Sequence, residues 1–502
     1  MERLLASVLA AFCVAGCADD DVFIDVDIDA DPCTAERTQR LVVTVFDGDG
    51  NQVDAFERAE GLAFPTGVRL VSSDAARAWR VEAVAYGDDE LPFAYQVATG
   101  TFDTTRRALL LDDRCWGVEC TDGTCIAGTC STDALAMVTP NARPTACPLV
   151  VYAHGAEGVA TPCGTIDAPC SNAQQAVVQL RDTGGLAFLS GLFDEGSGAS
   201  LVHVEGAHVA VRAWPERPPP ILDGSGFSQA IEVDGEDIVI DGLEVRNGDR
   251  HGISVNGDEN LRVTIRNCDI HDNGDVYDMD DMFPDAHAGV VVNNGASGVL
   301  VEHNHIHDNR STSGFRLSGV HANLVSSGDR RGSVFIRNNR IERNTIGVHT
   351  NNVGDGADVI DNVILDNETH GISIDGGGEV RGNRVCNHPN DGILVRGEIV
   401  VTFNSVVDNA GSGIRLVDGD GWVIARNVLA FNATGLGGTG EPDDGPNLYF
   451  MNDVHYEDIT PARMDEDVIA DPMFAMRDDC SLVPMAGSPA IGASPETSFG
   501  AR

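Results

Sequence analysis

Apolar and polar positions alternate in short runs between residues 38 and 113. Leu41-Val42-Val43-Thr44-Val45-Phe46 leads into Asp47-Gly48-Asp49-Gly50, and Trp79, Val81, Ala83 and Ala85 alternate with Arg80, Glu82 and Val84 before Gly87. A period of two closed by Asp-Gly predicts strands joined by tight turns. Over this span it predicts a small two-sheet β-sandwich. Ser171 to Leu180 (Ser-Asn-Ala-Gln-Gln-Ala-Val-Val-Gln-Leu) instead has the helical period, with Ser171 or Asn172 as its cap.

Two signatures then alternate from residue 230 to about 440. One is an apolar strand, Asn, any residue, an aliphatic, two more residues and usually Asn again. It reads Ile265…Cys268-Asp269-Ile270-His271-Asp272-Asn273, then Val301…Asn304-His305-Ile306-His307-Asp308-Asn309, then Ile336…Asn339-Arg340-Ile341-Glu342-Arg343-Asn344, with further copies at Asn362, Asn383, Asn404 and Asn427. The other is Gly, aliphatic, any residue, aliphatic, starting at Gly252, Gly289, Gly319, Gly347, Gly371, Gly392, Gly413 and Gly435. A unit of about 22 residues with three short strands is one coil of a parallel β-solenoid. The column Ile270, Ile306, Ile341, Ile364, Val385, Val406 and Leu429 should stack along its axis, and the Asn columns should occupy its sharp turns, where Asn tolerates left-handed backbone. The helix at 171–180 precedes the repeats, where a solenoid needs a plug over its open end.

This pattern resembles the right-handed parallel β-helix repeat of the pectate-lyase-like superfamily. Ile221-Leu222-Asp223-Gly224-Ser225-Gly226 is similar to the opening of such helices, and Asp471-Pro472-Met473-Phe474 with Gly487-Ser488-Pro489-Ala490-Ile491 to their closing segment. The resemblance covers about residues 147–495. It implies the fold; activity varies across that superfamily from lyases and hydrolases to adhesins. The expected fold class is therefore mainly β: a right-handed parallel β-helix over 147–502 with an N-terminal capping helix, preceded by an immunoglobulin-like β-sandwich at 38–113 and a disulfide-rich knob and linker at 114–146.

The repeat is interrupted by long insertions on neighbouring coils, at 274–287, 310–317 and 324–332, and loops of this size on a rigid scaffold are where function is placed. Strand alternation sends the second and fourth residues after each Gly outward. A polar stripe of His321, Asn323, His349, Asn351, Ser373, Asp375 and Arg396, with Asn293 at its end, thus runs beside the insertions. Adjacent members are about 4.8 Å apart, a spacing suited to an extended sugar chain. Asn293, Asn323, Asn351, Ser373 and Asp375, with Arg330 and Arg331 leaning in, are the candidate ligand contacts. The insertion Asp275-Val276-Tyr277-Asp278-Met279-Asp280-Asp281-Met282-Phe283-Pro284-Asp285-Ala286-His287 is acidic, and Asp278, Asp280, Asp281 and Asp285 are candidate Ca²⁺ ligands, since Ca²⁺ takes six to eight oxygens. The His-Asp-Asn triplets at 271–273 and 307–309 belong to the repeat and read as a stacked surface ladder.

Composition narrows the chemistry. The chain has 502 residues, 33 basic and 78 acidic, for a net charge of −45, and every basic residue is Arg. Lysine-dependent catalysis is thereby excluded, and so large an acidic excess argues against nucleic-acid binding. The polygalacturonase pattern is incomplete: His370-Gly371-Ile372 resembles part of it, but the preceding coil, Asn344-Thr345-Ile346-Gly347, lacks paired aspartates. Uronate β-elimination assisted by Arg and Ca²⁺ stays open, with Arg316, Arg396 or Arg415 as candidates, as does His321 or His349 as a general base titrating near neutrality.

Residues 1–17 read as an export signal: Arg3, an apolar run from Leu4 to Val14 too short to span a bilayer, and Val14-Ala15-Gly16-Cys17, similar to a bacterial lipobox with Cys17 as the lipidated residue. Seven Asp among residues 18–31 predict a self-repelling tether over 18–37. Eight Cys between Cys33 and Cys170 in an exported chain predict disulfides, with Cys115, Cys120, Cys125 and Cys130 forming the knob, while Cys268, Cys386 and Cys480, far apart, are expected to be free. The expectation is a monomeric, lipid-anchored protein of a Gram-negative outer membrane that binds an extracellular polysaccharide and, if it is an enzyme, cleaves it as a lyase. The alternative is a non-catalytic surface adhesion or envelope protein.

Overall fold

In the computed structural model the described residues are 22–30, 38–131 and 149–501, apart from short stretches of which 59–65, 112–123, 275–286, 311–316, 324–333 and 492–497 are the longer. The chain divides into two compact units, Met1–Pro148 and Leu149–Arg502.

The first unit has an antiparallel sheet of Gln52–Arg58, Arg40–Asp47, Ala78–Tyr86 and Pro92–Thr101, in that order, and a second sheet of Thr66–Ser72, Val22–Ala30 and Arg106–Leu111. The period of two holds where it was read: Leu41, Val43, Val45, Trp79, Val81, Ala83 and Ala85 are buried. The tether expectation is corrected over Val22–Ala30, which is the central strand of the second sheet. The Asp residues there alternate with Val26 and Ile28, both fully buried. Register sets Asp25 opposite Arg69 on one side and Arg106 on the other. In the Cys-rich region, Thr124–Ile126 and Thr129–Ser131 pair with Cys125 opposite Cys130; Cys17, Cys33, Cys115, Cys120 and Cys147 lie outside the described residues.

The second unit is a parallel β-helix of three faces. One sheet of 23 strands forms the first two, bending between strands such as Val334–Arg337 and Arg340–Glu342; a sheet of 11 strands forms the third. The predicted column Ile270, Ile306, Ile341, Ile364, Val385, Val406 and Leu429 is fully buried, each member contributing about 1.5–3 kcal/mol on leaving water. The helix Ala173–Val178 is capped by Asn172, whose side chain accepts from Gln174 N and Gln175 N, and buries Ala173, Ala176 and Val177 in the core that continues into the first coils.

Two buried Asn ladders pin the turns. In one, Asn304, Asn339, Asn362, Asn383, Asn404, Asn427 and Asn447 follow one another. Asn339 Nδ2 donates to Asn362 Oδ1 at 3.0 Å and to Val301 O at 2.8 Å, and the Asn339 backbone N–H donates to Asn362 Oδ1 at 2.9 Å. From Asn304 to Asn427 the left-handed residue is the one before the ladder Asn: His303, Asn338, Asp361, Gly382, Phe403 and Arg426 all have positive φ. The sequence expectation placed that backbone on the Asn itself. The Gly column is a matter of space. A Cβ on Gly347 would lie 2.4 Å from Gly371 O and 2.6 Å from Ile364 Cγ2.

The C-terminal segment returns along the second face. Cys480, Leu482 and Ala490 pack on Leu365, Val407, Val428 and Ala430, and Cys480 forms a disulfide with Cys386, 94 residues away in sequence. Both had been expected free; the returning chain brings them together. A second disulfide joins Cys163 and Cys170. Cys268 is free, as expected, and takes a ladder position, where burial pushes its thiol up to about 12.

Candidate functional site

The third face carries the predicted stripe. Register aligns Val291, His321, His349 and Ser373 in one column. Asn293, Asn323 and Asn351 share a second column, and Asp375 and Arg396, on the next two coils, are register partners. The sheet dictates both: Val320 and Ala322 enter the core, so His321 and Asn323 between and beyond them face away.

Burial divides the two columns. Asn293, Asn323, Asn351, Asp375 and Arg396 are half-buried. Of the first column, Ser373 and His321 are buried, His321 being only 2 % exposed. His321 meets the edge of His349, ring centroids 4.8 Å apart at 88°. Among the described residues neither ring nitrogen of His321 has a hydrogen-bond partner. Burial, with His349 beside it, pushes its pKa down to about 3. The expectation of a general base titrating near neutrality is therefore corrected for His321: it is a neutral imidazole, with one N–H and one lone pair unused. Leaving such groups dry costs about 1–3 kcal/mol, a cost that a ligand hydroxyl in that position removes.

The structure brings His321 and His349 together but not Arg396, which stands three coils away, roughly 14 Å along the axis. No reacting centre is assembled among the described residues from this set. Arg316, Arg330, Arg331 and the acidic residues Asp278, Asp280, Asp281 and Asp285 lie outside the described residues.

Sequence reasoning missed the residues just before the Gly positions. His251 is buried, its ring centroid 5.7 Å from that of His287, which stands two residues before Gly289, and His370 Nδ1 lies 3.7 Å from Asp391 Oδ2. Ser318 is fully buried. The signature was counted from Gly onward, so this column was overlooked; the recurrence of His and Ser immediately before Gly was its signal.

Residues 229–398 match the family model described as right handed beta helix region, about a third of the chain. Among solved structures the chain is similar to pectate lyase Pel9A, with a TM-score of 0.45 and 14% identity over 69% of this chain and 90% of that one. It is similar to the Dettilon tailspike protein (gp208), with a TM-score of 0.39 and 12% identity over 63% and 70%. The A-module of mannuronan C-5 epimerase AlgE4 of Azotobacter vinelandii gives 0.31 and 14% over 60% and 92%. No curated protein matches the chain in sequence, and no functional residue is carried over from these structures. The stacked parallel faces and the matched repeat together make the chain a right-handed parallel β-helix protein.

Proposed function

We propose that the third face binds an extended polysaccharide along the row from Asn293 to Arg396, and that it does so without cleaving it. One observation carries this reading: five hydrogen-bonding side chains, Asn293, Asn323, Asn351, Asp375 and Arg396, stand half-buried on successive coils beside a buried His321 with unused polar atoms. Repeated donors and acceptors about 4.8 Å apart suit a repeated hydroxyl-rich ligand. The separation of His321 from Arg396 supports binding over β-elimination. The acidic insertion supplies Ca²⁺ where the ligand is a polyuronate, and Cys17 anchors the chain by lipid to the outer membrane. No helix among the described residues is long and apolar enough to cross a membrane.

The test is calorimetric titration of the full chain against a panel of neutral and acidic polysaccharides, with and without chelator, alongside absorbance of unsaturated products. Saturable binding weakened by Asn323→Ala together with Asn351→Ala, and no absorbance gain, is the expected result. No binding across the panel, or binding indifferent to both substitutions, removes the reading. Appearance of unsaturated product converts it to a lyase.

A further inference from the structure

The second face holds a cluster that the third-face row does not use. Its three-residue strands send the middle side chain inward, as at Ile270 and Ile306, and the first and third outward. Register sets Asp269 beside His305, and His271 beside His307. His307 Nε2 lies 2.9 Å, and His305 Nδ1 3.4 Å, from the same oxygen, Asp269 Oδ1.

The other nitrogen of each ring faces a further carboxylate. His307 Nδ1 is 2.8 Å from Asp308 Oδ2, and His305 Nε2 is 3.3 Å from Glu342 Oε1. An imidazole that ligates through one nitrogen carries its proton on the other, and these outer carboxylates are placed to accept it. Arg343 Nη2 also approaches His307 Nδ1, at 3.5 Å, and Asp308 is the nearer partner. Three potential ligand atoms, one from each ring and one from Asp269, thus converge between two coils.

We propose that Asp269, His305 and His307 form a site for a divalent transition metal of the Zn²⁺ type, with Asp308 and Glu342 as the outer carboxylates. The donor set is two imidazoles and one carboxylate, which selects Zn²⁺ and its neighbours over Ca²⁺ and Mg²⁺. The donor atoms lie within 4.8 Å of one another, close enough for bonds of about 2.0–2.2 Å to one ion after small side-chain rotations. A ligating His whose second nitrogen is held by a carboxylate is the recurrent zinc arrangement. All three ligands are partly exposed, leaving a fourth position to water.

The site also has a place in the fold. The outward column of this face runs His271, His307, Glu342 and then Leu365, Cys386, Val407. The C-terminal segment covers the apolar part. The metal would tie two coils together on the charged part. The second cluster of this composition, His203, Glu232 and Asp234, differs in kind. It offers one imidazole and two carboxylates, with Asp234 at 2.8 Å from one nitrogen of His203 and Glu205 at 3.4 Å from the other.

The experiment uses the full chain without a histidine tag, stripped by chelator. It is titrated with Zn²⁺ by calorimetry and with Co²⁺ followed by visible absorption. One equivalent of Zn²⁺ and an intense tetrahedral Co²⁺ band are expected. His305→Gln, His307→Gln and the isosteric Asp269→Asn each weaken binding by at least about tenfold, with circular dichroism unchanged. His203→Ala leaves both readouts as in the parent. Absence of saturable Zn²⁺ binding overturns the proposal, and so does binding that survives the His305→Gln/His307→Gln double substitution, which would place the metal elsewhere.

Discussion

His388 stands in an Asn ladder: its Nε2 lies 3.2 Å from Asn367 Nδ2 on the coil before, and its Nδ1 2.8 Å from Asn409 Oδ1 on the coil after. An amide nitrogen only donates and an amide oxygen only accepts. The ring is therefore neutral, with its proton on Nδ1. Protonating Nε2 would set a donor against the Asn367 donors in a fully buried position.

That geometry fixes a pH dependence. Burial lowers the His388 pKa from its ordinary 6.5 to about 4. Above 6.5 folded and unfolded chains are both neutral at this residue. As pH falls from 6.5 towards 4 the unfolded chain takes up the proton and the folded one does not, so stability is lost across that window, by roughly 3 kcal/mol. His388→Asn completes the ladder and removes this contribution. Melting temperatures of the two proteins from pH 7 to 4 should diverge, the parent falling faster; parallel curves would falsify the assignment. His321 shifts in the same sense in both proteins and cancels in the comparison.

Gly347 tests the close approach of the coils. Its added Cβ would meet Gly371 O, Ile364 Cγ2 and Asn367 Nδ2, all within 2.9 Å, and two of these belong to backbone and ladder, which have no room to move. Gly347→Ala should cost about 1–3 kcal/mol or more, read as a lowered denaturation midpoint. An unchanged midpoint would mean that the coils stand further apart.

The solenoid was legible because its constraints are local and repeated: the Gly column exists because Cβ does not fit, and the Ile column because each coil buries one side chain on the axis. What the sequence hid was non-local or a matter of cover. Cys386 and Cys480 meet only because the C-terminal segment returns along one face. Val22–Ala30 hid behind its charge, since counting Asp drew attention from the period of two that buries Val26 and Ile28. Alternation told which way His321 faces and not that it is covered. The contact of His307 with Asp269 was masked by the repeat, which made the triplets look like ladder alone: His271 and His307 do stack, and Asn273 and Asn309 are hydrogen-bonded, but His307 also meets Asp269.

The Cys386–Cys480 bridge should control the cover of the second face. It closes a long loop, for which the chain-entropy estimate is roughly 4–5 kcal/mol. Cys386→Ala with Cys480→Ala should free the segment after Asp471 to proteases and expose Leu365, Val407 and Ala430 to a hydrophobic dye, while the coils keep their circular dichroism. Protection as strong as in the parent would show that apolar packing alone holds the segment down.

His321 is where stability and binding should oppose each other. Its ring is buried and, among the described residues, unpartnered, so in the free protein its two nitrogens cost desolvation without return. Leu is apolar and of similar volume, though different in shape. His321→Leu should therefore raise the melting temperature, by the equivalent of about 1–3 kcal/mol less any cost of repacking. If the ring is held in reserve for a ligand, the same substitution should weaken polysaccharide binding along the Asn323 and Asn351 row. A drop in melting temperature would show that the imidazole is already satisfied in the free protein. A gain in stability with unchanged affinity would place the ligand outside its reach.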